Sequence, residues 1–314
     1  MSNALLSWHV SMWEGLSQRL TQNQFPHALL FHGQKGVGKK DFARYLSQAL
    51  LCHQQNACGA CSACALFSAE SHPDYCQIVP EGAANKIRVD TVRDTIEFVQ
   101  TSPLISQYKV ICIDQASEMN AFSANAILKT LEEPPAQVVF ILICHDHLNL
   151  PATIVSRCQK IFFSVPSQQD ALHWMSMALP DYSKEQCLQA LHAASGAPLW
   201  AAELLTNGLI EHQLALRSDL MAVGSQKIHP VQLAEKWSAK SIAEVVSVRQ
   251  CLDWVFMELQ AMLSQPTQKI AREPLLDYIN YIQQLCGWVR QSQSLNRQLM
   301  MEDVFIRWKI LCNS

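Results

Sequence analysis

The segment His27–Lys40, HALLFHGQKGVGKK, constrains this chain more than any other. A short apolar run enters a glycine turn. The residues that follow, KDFARYLSQALLC, place Phe42, Tyr45, Leu46, Ala49 and Leu50 on one helical face. Strand, glycine turn and helix together form the setting in which backbone N–H groups cradle phosphate oxygens. Gly33, Gly36, Gly38 and Lys39 fit the spacing G-x-x-x-x-G-K, and Lys39 would reach the outer phosphates of ATP or ADP. A tight turn carrying a surface lysine is the plainer reading of the same residues.

Turnover asks for more than a cradle. A hydroxyl after the lysine and an acid after a second strand jointly hold Mg²⁺. Here the position after Lys39 is Lys40, which cannot ligate a cation and repels one. The second strand, KVICID, ends in Asp114, but Gln115 follows. An amide orients water and cannot take its proton. The two losses are independent and predict a site that binds without hydrolysing. Asp114 alone also reads as a strand-end acid capping a loop.

Further strand-like runs, QVVFILICH (Gln137–His145) and the stretch around Ile161–Ser167, alternate with a helix FSANAILKTLEE closed by Pro134 and Pro135. That alternation predicts a parallel sheet with helices on both faces. Beyond Ser167 no strand of that strength recurs. Val248, Leu252, Val255, Leu259 and Met262 repeat at helical spacing, as do Tyr278, Ile282, Leu285 and Val289. The expected division is an α/β domain over residues 1–166, a small helical domain over 167–206, and a helical bundle over 207–314.

The chain has 12 cysteines, and their clustering is informative. Cys52, Cys58, Cys61 and Cys64 form C-x₅-C-x₂-C-x₂-C, a spacing that offers four thiolates to one tetrahedral zinc ion. Such a site has no open position, so its role is structural. Separate buried thiols, or His53 in place of one cysteine, are the alternatives. The remaining cysteines lie in apolar runs and read as small core residues. In LPATIVSRCQKIFF, Arg157 is either a salt-bridging surface residue or a finger that stabilises charge on a neighbour's phosphate.

A net charge of −3 does not draw the chain onto DNA by itself. The N-terminus lacks a basic segment followed by a continuous apolar core, and the longest apolar run is too short for a membrane helix. No membrane role and a cytoplasmic location are therefore expected.

HALLFHGQKGVGKK, the cysteine cluster, HPDY, ANAILKTLEEPP, LPATIVSRCQ and, near the end, NRQLMMEDVFIRW together resemble the bacterial clamp-loader subunits of the AAA+ class. The resemblance implies an AAA+ (P-loop NTPase-like) α/β parallel-sheet domain with a zinc module, a helical lid and a C-terminal all-α collar. It implies a place in a five-subunit ring beside gamma/tau and delta subunits. That ring opens a sliding clamp and sets it on primed DNA for DNA polymerase III. Arg157 would face the ATP of a neighbouring motor subunit. Motor subunits of this class carry Ser or Thr at position 40 and Asp-Glu at 114–115, so the present chain resembles the non-hydrolysing kind. CHDH (Cys144–His147) stands where the motors have a polar sensor, and SGAPLWAAEL (Ser195–Leu204) lacks their second-sensor arginine. The first cysteine interval is five residues, where eight is usual in the family. Two rival readings are an active clamp-loader ATPase and a zinc-containing nucleic-acid-binding protein with no motor role.

Overall fold

A computed structural model describes residues 5–81, 86–87, 89–145, 150–264, 271–291 and 296–313. Its two compact units are residues 1–174 with 197–200, and residues 175–196 with 201–314.

The first unit is built on five strands: β1 (Ala28–His32), β2 (Tyr75–Ile78), β3 (Lys109–Ile113), β4 (Val138–Ile143) and β5 (Gln159–Phe162). Their order is β2-β3-β4-β1-β5, and every neighbouring pair is parallel. Every residue of β3 and β4 is buried, which is why both read as unbroken apolar runs rather than alternating ones. The expected parallel sheet with flanking helices is what forms. β2 was not legible: YCQI is four residues long and only partly buried.

Register sets the position of the chemistry. Phe31 pairs with Ile143, Ile113 with Leu142 and His32 with Phe162, so the carboxyl ends of β1, β3, β4 and β5 finish together. Loops leaving that edge carry the glycine turn, Asp114 and His145, the usual ligand side of an open parallel sheet. Beneath them Phe31, Phe42 and Phe163 interlock, with centroids 5.0 Å apart for Phe31–Phe163 and 5.6 Å for Phe31–Phe42.

The second unit is helical throughout its described residues. The periodic residues Leu252, Val255, Leu259 and Met262 are buried in the helix Val248–Ser264, and Tyr278, Ile282 and Leu285 in Arg272–Gln291. Its core holds Trp237, Trp254, Phe305 and Trp308. Buried indole N–H groups need acceptors. Trp308 donates to Leu220 O at 2.9 Å, and Trp237 donates to Asp219 Oδ2 at 3.0 Å. Lys236 shares that carboxylate at 2.6 Å. Among the described residues, no helix is long and apolar enough to cross a membrane.

Candidate functional site

The glycine turn follows β1 and opens the helix Lys39–Leu51, as its sequence predicts. Gly36 has φ +79°, and a Cβ there would lie 2.4 Å from Trp200 Cβ. Gly38 has φ +94°, and a Cβ there would lie 2.5 Å from Leu6 Cδ1. Side chains are therefore excluded by neighbours of this same unit as well as by backbone conformation. Residues close to those neighbours in the chain donate to the loop's carbonyls. Leu199 N–H donates to Gly36 O at 3.0 Å, and Trp8 Nε1 donates to Val37 O at 3.0 Å. The Lys35 ammonium sits 3.3 Å above the Trp200 ring.

Lys39 is 4% exposed. Its ammonium donates to Gly33 O at 2.6 Å and to Gln34 O at 2.7 Å, and lies 3.3 Å from His145 Nδ1. Two of the three N–H donors of the ammonium go to these backbone carbonyls, and the third faces the imidazole. Burial pulls its pKa down to about 8, against the opposing pull of Cys144 and Asp114. It stays largely protonated at neutral pH. Asp146 and His147, the second half of CHDH, lie outside the described residues.

Lys40, the residue in place of the metal-binding hydroxyl, reaches Asp114. Its Nζ lies 3.0 Å from Asp114 Oδ2, while Asp114 Oδ1 accepts from Gln115 N–H at 2.9 Å. The acid that would hold a cation already has one, covalently tethered. Both oxygens of the carboxylate are engaged within the chain.

Cys52 ends the helix Lys39–Leu51, and Cys61 caps the helix Ser62–Ser68, its sulfur accepting from Cys64 N–H. With Cys58 between them, the four Sγ atoms lie within 4.8 Å of one another; Cys52–Cys61 is 3.9 Å and Cys58–Cys64 is 4.0 Å. Four sulfurs at about 2.3 Å from a tetrahedral centre stand roughly 3.8 Å apart. The group therefore fits a metal ion such as zinc, and His53 is not part of it. Burial raises the Cys52 thiol, but backbone hydrogen bonds from Asn56, Cys58 and Gln54 outweigh it and hold the pKa near about 6. Burial pushes Cys64 up to about 12, so a metal must displace its proton. Among the other cysteines Cys112, Cys144, Cys158, Cys187, Cys251 and Cys286 are buried, as core residues should be.

Arg157 follows the short helix Ala152–Val155. Its Nη1 donates to Thr153 O at 2.8 Å and to Ser156 Oγ at 3.3 Å, and its Nη2 pairs with Glu132 Oε1. The ion pair of the plainer reading is present, and the guanidinium side chain is still 33% exposed.

One polar cluster had no signal in the sequence beyond the tetrapeptide HPDY. Asp74 is fully buried and accepts from Leu104, Ile105 and Ser106 N–H at 2.7, 2.8 and 2.9 Å. His72 Nδ1 accepts from Asp74 N–H at 3.1 Å, and its Nε2 lies 3.1 Å from Ser106 Oγ. Ser106 Oγ donates in turn to Leu51 O at 2.7 Å, beside the cysteine module. Only the fold brings residues 72–74 to residues 104–106.

Residues 8–167 match the protein family described as DNA polymerase III, delta subunit. The DNA polymerase III subunit delta' of Pseudomonas aeruginosa is 32% identical over 97% of this chain and 97% of its own length. The corresponding subunit of Haemophilus influenzae is 34% identical over 67% of this chain and 64% of its own. DNA polymerase III subunit tau of Escherichia coli is 33% identical over 62% of this chain and 31% of its own.

Proposed function

Since the chain belongs to the DNA polymerase III delta subunit family, we propose that it serves as the delta-prime member of a polymerase III clamp loader. In this reading it braces a ring with gamma/tau and delta subunits while a sliding clamp is placed on primed DNA. It hydrolyses no nucleotide. Lys40 paired with Asp114 is the observation that carries the proposal. A tethered ammonium holds the carboxylate that magnesium would need, and the loop lysine is drawn back onto the chain's own carbonyls. Gln115 supplies no proton acceptor. An ATP or ADP that entered would meet a cradle without a metal.

Zinc is the ion proposed for Cys52, Cys58, Cys61 and Cys64, because a closed set of four thiolates favours it. The three-part division at 166/167 and 206/207 belongs to the same proposal, with residues 207–314 as the collar. Leu299, Ile306 and Ile310 share a face of the helix Arg297–Asn313 and are exposed, which supports burial of that face in an assembly.

Arg157 acts on a neighbour in this reading, its guanidinium stabilising charge on the transferring phosphate of an adjacent motor subunit. Two measurements test the function. The isolated chain incubated with Mg²⁺ and ATP is expected to release no phosphate above background; robust release that vanishes in Lys39→Ala would establish the active-ATPase alternative. In a reconstituted ring, Arg157→Ala should leave assembly intact by size exclusion. It should cut clamp- and DNA-stimulated turnover by about tenfold, other interfaces keeping their own arginines. Unchanged stimulated turnover removes the trans-acting role.

A further inference from the structure

We infer that Glu132 is the positioning residue for Arg157, holding the guanidinium in the orientation it presents to a neighbouring nucleotide. The inference rests on the trans-acting reading of Arg157 given above.

Glu132 is the last residue of the helix Ala121–Glu132, just ahead of Glu133 and the two prolines that end it. A carboxylate at a helix C-terminus faces the negative end of the helix dipole. Local electrostatics therefore disfavour an acid at this place, and that cost is opposed by Lys129 in the same last turn and by the Arg157 cation. Nor does stability account for the pair. Its side chains are 33% and 47% exposed, and ion pairs so open to solvent contribute little to folding.

Orientation is what the contacts supply. Glu132 engages Nη2 from one side, while Thr153 O and Ser156 Oγ engage Nη1 from the other. A planar group held along two edges has lost rotation about its long stem before any ligand arrives. The two hydrogen bonds use the Nη1 donors, and Nη2 is held by the ion pair with Glu132. Among the described residues, the Nε–H makes no hydrogen bond, so part of the fork stays available to an anion. A phosphate arriving there meets a donor already in place, and the ordering cost does not fall on the reaction step.

The test is a cycle in the reconstituted ring: parent, Glu132→Gln, Arg157→Ala and the double variant, with kcat and KM for ATP measured separately. Glutamine preserves size and removes the charge, and melting curves check that the fold persists. Glu132→Gln should lower kcat about threefold at unchanged KM. It should have no further effect once Arg157 is gone, and Glu132→Asp should recover part of the loss. In the isolated chain, the Arg157 Nε–H resonance should show increased mobility in Glu132→Gln. A reduced kcat in Arg157→Ala with parental kcat in Glu132→Gln would overturn the positioning role and leave the trans-acting role standing. A raised kcat in Glu132→Gln would mean restraint rather than presentation and also overturn it. So would an equal loss in both backgrounds, which marks a general effect on the fold. If Arg157→Ala leaves kcat untouched, the trans-acting reading fails first and this inference with it.

Discussion

Removing the zinc proposed for the cysteine module, by chelation or by Cys64→Ser, is expected to lower the thermal midpoint of the α/β unit by on the order of 10 °C. Residues 53–61, between the two helices that carry the ligands, contain no helix or strand. Gln55 and Ala57 sit at φ +54° and +55°, a conformation side-chain-bearing residues adopt at a cost of roughly 1–2 kcal/mol each. With zinc bound as proposed, closure of the four thiolates on one ion offsets that cost. Structural zinc in small peptides supplies about 10–16 kcal/mol, of which only the part beyond the unit's own packing appears as lost stability. Leu51 and Cys52 end the helix Lys39–Leu51, and Ser106 Oγ donates to Leu51 O, so loosening should extend to the 104–106 loop. The parent should contain one zinc per chain by elemental analysis, and Cys64→Ser none. Amide exchange should quicken over 53–68. A metal-free chain with an unchanged midpoint would show that packing alone holds the module.

Legibility in the sequence followed the range of the interactions. The glycine turn, β3, β4 and the long helices of the second unit announce themselves because their signals are local. Fully buried strands read as apolar runs, and helix faces repeat within a few residues. The cysteine cluster is equally local, all four thiols falling within residues 52–64. β2 escaped because an edge strand of four residues carries too little pattern. The site divides in the same way. That Lys40 replaces a hydroxyl is visible in one line of sequence, but that it reaches Asp114, 74 residues away, depends on β1 and β3 ending at one edge of the sheet. Trp200 against Gly36 and Glu132 against Arg157 are likewise products of topology. No periodicity or motif spacing encodes them.

Replacing Asp74 should be the most damaging single change that touches neither the cysteine cluster nor the glycine turn. Asp74→Asn is expected to cost about 3 kcal/mol or more in a urea melt at neutral pH, since hydrogen bonds to a charged group each contribute about 1.5–3 kcal/mol. The carboxylate spends both oxygens on three consecutive backbone N–H groups. An amide keeps one acceptor oxygen and turns an NH₂ donor toward the donors left over, leaving partly buried N–H groups without an acceptor. Leu104 is 77% exposed and Ile105 41%, so their side chains cannot hold this loop in place. The anchor is the acid. Burial alone would raise its pKa, but the three N–H groups outweigh burial, aided by His72, and hold it below the ordinary value. A carboxyl lowered on folding gives stability that is complete above its unfolded pKa, about 3.9, and that disappears as pH falls through the lower folded value. His72 is also lowered, by burial, so acid charges it more readily in the unfolded chain, and its loss of stability begins nearer pH 6.5. Acid unfolding of the parent should therefore show an early, shallow limb from His72 and a later one from Asp74. Asp74→Asn should lose the later limb while starting from lower stability, and exchange at the amides of 104–106 should rise first. Parental stability in Asp74→Asn at pH 7, with those amides still protected, would mean the loop is held by something other than this carboxylate.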